Sequence, residues 1–135
     1  MSNEKLDQLV NQVENYIECW KQYNTFVNMA RAKKFSQEDE NQFLETKSVL
    51  IQEMELILAS IEVPSPTKEE IHALIAEAPS LRYVSEINDG TLRNQESQWH
   101  RIYIGWHSIL GQLKVRQRGE GSKSAIGSVF GKKKK

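Results

Sequence analysis

Two tryptophans and two histidines recur at one spacing in the stretch WHRIYIGWHSILGQL, which runs from Trp99 to Leu113. The pattern Trp-His-x-Ile begins at Trp99 and begins again at Trp106, seven residues later. Imidazole nitrogens bind zinc, copper and iron, and histidine is also the usual side chain for moving protons in catalysis. The pattern is therefore compatible with a metal site, with a catalytic site or with the inner face of a helix.

The spacing of the two histidines argues against a shared metal ion. On a helix, His100 and His107 would be separated by about 10.5 Å along the axis, whereas a zinc ion lies about 2 Å from each nitrogen ligand. Glu96 precedes His100 by four residues, but a di-iron bundle needs a second Glu-x-x-His motif on another helix. We expect no bound metal or cofactor and interpret Glu96 and His100 as a pair on the helix surface.

The residue sets of nucleophilic catalysis are also missing from the sequence. Cys19 is the only cysteine, and it precedes a tryptophan of the predicted core on a different helix from every histidine. A catalytic thiol needs an adjacent base, so we expect Cys19 to be an inert, half-buried thiol. The chain has no Gly-rich phosphate loop, no Gly-x-Ser-x-Gly and no Cys-x-x-Cys. We therefore expect a protein that is not an enzyme.

The lone cysteine and the N-terminal sequence also bear on the compartment. A single cysteine cannot form an intrachain disulfide, and disulfides are typical of oxidising compartments. The first thirty residues mix charged and apolar side chains, with no long apolar run of the kind found in a signal peptide. These features favour a cytoplasmic location.

Long amphipathic segments are predicted to position these side chains. The first runs from about Asn3 to Lys34, and its apolar positions repeat every seven residues, at Leu6, Val13, Trp20 and Val27. The second runs from Gln37 to about Glu62, after a capping arrangement of Ser36 with Asp39. The linker between them is short, so the second helix is predicted to return antiparallel to the first.

The third segment, Lys68 to Asn88, begins with a capping box of Thr67 and Glu70 and contains Pro79. Proline inside a helix removes a hydrogen bond and clashes with the preceding turn. We therefore expect this helix to be short, kinked or split at Pro79, with the second half starting near Ser80.

The fourth helix is predicted from Leu92 to about Gln117, with Thr91 as its cap. On a helical wheel both tryptophans of the repeat point into the bundle, and the histidines lie on its flank. Together the four segments predict an all-α fold, an antiparallel up-down-up-down four-helix bundle over residues 1–118. Residues 119–135 are rich in Gly, Ser and Lys and are predicted to form a disordered basic tail.

Charge divides the chain in the same way. Up to Leu113 it carries 10 basic and 17 acidic residues, and from Lys114 onward it carries 8 basic residues and one acidic residue. In the tail, the apolar side chains have helical spacing beside four lysines, and we predict that this set binds a partner: Ile126, Val129, Phe130, Lys132, Lys133, Lys134 and Lys135. The same tail could instead lie over the acidic bundle until a partner displaces it.

The flank of the fourth helix is a second candidate contact surface. Two glycines, Gly105 and Gly111, interrupt this helix, and each costs about 1 kcal/mol relative to alanine. Ile104 shares a line with Gly111 where solvent is expected. We predict a partner-binding flank formed by Glu96, His100, Ile104 and His107.

These features favour a helical protein-interaction module, an adaptor or a chaperone-like protein, that binds a protein partner through a bundle face and its tail. In general shape the predicted architecture is similar to small secretion and flagellar-export chaperones. A homodimer is compatible with the aromatic-rich seams. The first alternative is a weak, tail-driven binder of anionic membrane or nucleic acid. The second is a metal- or small-ligand-binding bundle using Glu96, His100 and Tyr103, although we expect no small-molecule substrate.

Overall fold

The structure, a computed structural model, describes the backbone of residues 2–125 and the side chains of residues 4–119. That part of the chain forms five helices: α1 (Ser2–Arg31), α2 (Gln37–Leu58), α3 (Lys68–Ala76), α4 (Leu81–Glu86) and α5 (Asp89–Ala125). No strand occurs among these residues. The predicted all-α class is confirmed, and the helices pack as a bundle.

Helix α1 is the element that the others share. It packs against α2, α4 and α5, while α3 contacts α2 and α5. Two ion pairs along α1 and α5 show their relative direction, because Arg31 pairs with Glu96 and Glu14 pairs with Lys114. The two long helices therefore run antiparallel, and α5 follows α1 over most of its length.

Aromatic side chains form the centre of the core. The rings of Tyr16 and Trp106 meet edge to face with their centroids 4.9 Å apart. Tyr23 and Phe43 lie 5.3 Å apart between α1 and α2, and Trp20 contacts Tyr23 at 5.4 Å. Such pairs contribute beyond the apolar area that they bury. The seven-residue repeats of α1 and α5 thus meet in one aromatic seam, which α2 joins through Phe43.

Three predicted helix starts are confirmed. The hydroxyl of Ser36 accepts from the backbone N–H of Asp39 at 3.1 Å, and the Asp39 carboxylate accepts from the Ser36 N–H at 2.8 Å. Thr67 and Glu70 form the same reciprocal box at the start of α3. The Ser80 hydroxyl caps α4 by accepting from the third N–H of that helix. Each cap pairs backbone donors that the helix itself leaves free.

Helix α1 ends at Arg31, three residues before its predicted end at Lys34. Lys33 adopts a φ of 60°, in the left-handed region, and the N–H of Lys34 donates to the carbonyl of Met29 at 2.9 Å. This closing pattern usually has glycine at the left-handed position. Lysine there gives no such signal in the sequence.

Two further boundaries differ from the prediction. Helix α2 ends at Leu58 and not near Glu62, and the N–H groups of Ser60 and Ile61 both donate to the carbonyl of Ile57 as the chain leaves the helix. Helix α5 begins at Asp89, and the Asn88 side-chain oxygen accepts from the N–H of Thr91 at 2.8 Å. Asn88, and not Thr91, is therefore the cap, and Thr91 lies inside the first turn.

Helix α5 continues to Ala125, past its predicted end near Gln117 and into the segment predicted to be a flexible tail. Extending a formed helix adds a hydrogen bond for each residue and needs no new nucleus, so the glycines of this segment do not stop it. The remaining tail residues lie outside the described residues: Ile126, Val129, Phe130, Lys132, Lys133, Lys134 and Lys135.

The third predicted helix is split at Pro79, into α3 and α4. Two charged side chains of α2 form hydrogen bonds with the backbone on either side of this break. The Lys47 ammonium donates to the two carbonyls before it, those of Ala78 at 2.8 Å and Pro79 at 3.2 Å. The Glu40 carboxylate accepts from the two N–H groups after it, those of Leu81 at 2.8 Å and Arg82 at 3.0 Å. The break that the proline causes is thus compensated from α2.

Candidate functional site

The Trp-His repeat lies on α5 with its members in different environments. Trp106 is fully buried, and Trp99 is half-buried with its indole N–H donating to the carbonyl of Trp20 at 3.0 Å. His100 and His107 are both exposed. The seven-residue spacing is therefore that of a helix whose tryptophans face the bundle and whose histidines face solvent.

Trp99 begins a stack of rings that runs along the exposed edge between α5 and α1. The rings of Trp99 and Tyr103 are nearly parallel, with centroids 4.6 Å apart, and His107 meets Tyr103 edge-on at 4.6 Å. Each step of four residues places the next ring above the last. Stacking holds Tyr103 and His107 in place beside the exposed surface of α5.

Glu96 does not pair with His100 as predicted. The Arg31 guanidinium, from the end of α1, donates to the Glu96 carboxylate at 3.1 Å. A guanidinium offers several N–H donors to one carboxylate, and the end of α1 places that of Arg31 within reach of Glu96. The proposed ligand pair Glu96 and His100 is therefore divided, with the carboxylate bound to α1.

The other candidate chemistry of the sequence gains no support from the geometry. Among residues whose side chains are described, no three His, Cys, Asp or Glu side chains are grouped as metal ligands would be. Burial raises the pKa of the Cys19 thiol, and the carboxylate of Glu53 raises it further. Because the thiolate is the nucleophile, this environment lowers the reactivity of Cys19.

The side of α5 opposite its buried tryptophans carries apolar and small residues. Ile104 is 53% exposed and Val115 is 61% exposed, and Ser108 and Gly111 lie between them at helical spacing. We call Ile104, Ser108, Gly111 and Val115 the α5 outer face. Exposed single apolar residues are common, but here two β-branched side chains share one line of the helix with small residues between them.

Basic side chains surround the α5 outer face. From its start to Arg118, α5 has two acidic residues and five basic ones, which are Arg93, Arg101, Lys114, Arg116 and Arg118. One of the acids, Glu96, is already paired with Arg31. Arg101 and Lys114 pair with acids of neighbouring helices. Of the described charged side chains that α5 itself places near the α5 outer face, those outside ion pairs are therefore basic, and Glu62 lies in the same surface pocket as Arg116. This excess of basic side chains favours acidic partners.

The two glycines inside α5 lie in different surroundings, and only one of them is required by a neighbouring segment. A Cβ atom added at Gly105 would lie 2.8 Å from Cδ of the buried Pro66, whereas one added at Gly111 would meet nothing within 4 Å. Gly105 is therefore required by the approach of the segment between α2 and α3. Nothing among the described residues requires Gly111, although it costs the helix about 1 kcal/mol.

We expect Gly111→Ala to raise the free energy of unfolding by about 1 kcal/mol, through helix propensity alone. Gly105→Ala gains the same propensity but is expected to lose about 1–3 kcal/mol from crowding Pro66, so it should be the less stable variant. Urea unfolding measures the free energy of unfolding of both variants. Because the gain in helix propensity is common to them, the difference between the two values gives the cost of crowding Pro66. Equal stability of the two variants would contradict the assignment.

Of the four flank residues predicted to bind a partner, Ile104 belongs to the α5 outer face, and His100 and His107 border it. Glu96 is held by Arg31. Val115 was not predicted, although it lies eleven residues after Ile104 and therefore on nearly the same line of the helix. The tail residues predicted to bind a partner lie beyond the part of the chain that the structure describes.

In the described part of the chain no helix is both long and apolar enough to span a membrane. Comparisons of the whole sequence with protein-family models, with curated proteins and with solved structures found no match.

Proposed function

We propose that this protein is a non-enzymatic helical interaction module, an adaptor or a chaperone-like protein, and that its α5 outer face binds an amphipathic helix of a protein partner. The observation that carries the proposal is the α5 outer face itself. Ile104 and Val115 are more than half exposed on one line, and Gly111 between them is open to a close approach. Small residues at the centre of a helix face allow a second helix to pack near its backbone.

The charge around the α5 outer face favours an acidic partner helix. Arg116 and Arg118 flank Val115, and Arg93 lies near the other end of the face. Complementary charge guides association and selects among partners more than it adds affinity. The proposed partner segment is therefore an amphipathic helix with apolar residues on one face and glutamate or aspartate beside them.

Magnitudes indicate weak and salt-sensitive binding. Complete burial of one isoleucine or valine side chain gains about 1.5–3 kcal/mol, and both side chains here are already partly buried. Association costs at least about 4 kcal/mol in lost freedom of motion. The α5 outer face alone therefore gives little net affinity, and the basic side chains must contribute.

The tail extends this binding chemistry in our proposal. Ile126 follows directly on the last described residue of α5, and Val129, Phe130 and four lysines come after it. The tail would add apolar contacts and positive charge for the same acidic partner. We further propose that the protein works in the cytoplasm, where a lone thiol such as Cys19 remains reduced.

A defined pair of probes tests the proposal. A labelled amphipathic helical peptide of leucine and glutamate should bind the full chain at low salt and lose affinity at high salt. The same peptide with lysine in place of each glutamate should not bind. We expect Ile104→Glu to weaken the binding of the acidic helix at least about tenfold, or about 1.4 kcal/mol. Fluorescence anisotropy measures both affinities.

Gln22→Glu is the matched control, because it adds the same charge at an exposed position of α1. Binding should be nearly unchanged in this variant. Equal binding of the two helices, or equal losses in the two variants, would contradict the proposal. The tail-driven alternative predicts a different result, namely that the unmodified protein binds anionic vesicles. Changing Lys132–Lys135 to Gln would then abolish vesicle binding, and Ile104→Glu would leave it unchanged.

A further inference from the structure

Helix α2 carries a second exposed apolar feature. Leu44 and Leu56 are 44% and 50% exposed, and Ser48 and Gln52 lie between them at steps of four residues. We call Leu44, Ser48, Gln52 and Leu56 the α2 outer row. Side chains four residues apart form the ridges by which helices pack into one another. The α2 outer row is such a ridge, with a leucine at each end.

The charge of α2 is opposite to that of α5. Between Gln37 and Leu58, α2 has six acidic residues and one basic residue, Lys47. Lys47 is turned toward the carbonyls at the break between α3 and α4. Of the acids, Glu45 and Glu55 are exposed beside the α2 outer row, and Glu55 also pairs with Lys68 of α3 at 3.1 Å. The α2 outer row is therefore a helix face of the kind that the α5 outer face is proposed to bind.

The lengths of the two surfaces match as well. Leu44 and Leu56 are separated by about 18 Å along the axis of α2, and Ile104 and Val115 by about 16.5 Å along α5. The α2 outer row also turns by about 120° around its helix, whereas Ile104 and Val115 differ by only about 20°. A row at steps of four is inclined by about 26° to its helix axis, so the two helices would cross at a shallow angle. Gly111 would then lie opposite the middle of the α2 outer row, where close approach is needed.

We propose that the α2 outer row of a second copy of this chain binds the α5 outer face. This inference rests on the proposed function and names one partner for it. Within one molecule α2 and α5 both pack against α1 and direct these surfaces to solvent, so the two surfaces meet only between copies. The contact is heterologous, because it joins two different surfaces. Repeated contacts therefore either close into a ring or form an open chain with one free surface of each kind at its ends.

Two variants that each remove one surface test this inference. The full-length protein should associate with rising concentration, and association should weaken at high salt. Ile104→Glu alone and Leu56→Lys alone should each be monomeric, because every copy then lacks one of the two surfaces. An equimolar mixture of the two variants should form a dimer of one chain each, since each supplies the surface that the other lacks. Sedimentation equilibrium measures all four samples.

Gln22→Glu is the charge-matched control and should associate like the unmodified protein, while circular dichroism verifies the helix content of each variant. A monomeric unmodified protein, or a mixture that remains monomeric, would overturn the inference. Loss of association in Ile104→Glu but not in Leu56→Lys would also overturn it, because that result indicates a symmetric contact between two α5 helices. If the protein is monomeric but still binds the acidic probe helix through Ile104, the second-copy inference fails and the proposed function stands. If the probe helix does not bind either, both fail.

Discussion

Replacing Trp106 by alanine should lower the free energy of unfolding by about 3–5 kcal/mol, the range for removing a large aromatic side chain from a core. Trp106 is fully buried, and its ring packs edge-on against Tyr16 at 4.9 Å. The loss is large relative to the 5–15 kcal/mol by which domains are typically stable. Urea unfolding followed by circular dichroism measures the change.

Trp106→Phe is the control that separates volume from hydrogen bonding. The indole N–H of Trp106 is buried with no acceptor among the described residues, and an unpaired buried donor costs about 1–3 kcal/mol. Phenylalanine removes that cost together with part of the ring, so we expect a loss below about 1.5 kcal/mol. A loss below 1.5 kcal/mol for alanine as well would show that Trp106 does not lie in a packed core.

The second large effect is expected at Glu40. Its carboxylate accepts from the backbone N–H groups of Leu81 and Arg82, at the start of a helix of six residues. Hydrogen bonds to a charged group contribute about 1.5–3 kcal/mol each, and an acid at a helix start also suits the helix dipole. We expect Glu40→Ala to lower the free energy of unfolding by about 2–4 kcal/mol in total.

Glu38→Ala is the matched control, because Glu38 is an exposed acid of the same turn and should lose at most about 0.5 kcal/mol. Lys47 holds the other side of the break, so Glu40→Ala and Lys47→Met should be non-additive when combined. Equal losses at Glu38 and Glu40 would contradict the role given to Glu40. Strict additivity with Lys47 would show that the two side chains do not stabilise one shared break.

The sequence predicted what local chemistry determines. Ser36 and Thr67 cap the helices that they were expected to cap, and α4 starts beside Ser80 as predicted, because capping depends on residues within one turn. The break at Pro79 follows from the geometry of the proline itself. The aromatic seam follows from the seven-residue repeats, since helical spacing fixes which side chains share a face.

Contacts between distant segments were not predictable in the same way. Spacing along α2 does not show that the Lys47 ammonium donates to two carbonyls, because the position of the α3–α4 break beside it decides this contact. Glu96 was assigned to His100 on its own helix, but Arg31 reaches it from α1. Helix spacing tells which side chains share a face, but not which groups of another helix they meet.

The candidate site was predicted in part. Ile104, with His100 and His107 beside it, follows from the wheel of α5, and so does the line that Ile104 shares with Gly111. Val115 was missed although the same wheel places it there. The different reasons for Gly105 and Gly111 required the structure, because only the position of Pro66 distinguishes them.

The central claim is that the α5 outer face is a binding surface for an acidic helix. The most direct test places a photo-crosslinking residue at Ser108 of the α5 outer face in the full chain, and at Gln22 in a second sample. The labelled leucine–glutamate helix is the probe. We expect adducts from position 108 that diminish at high salt or with an excess of the unlabelled helix, and almost none from position 22. Equal adducts from the two positions, or none from position 108, would contradict the claim.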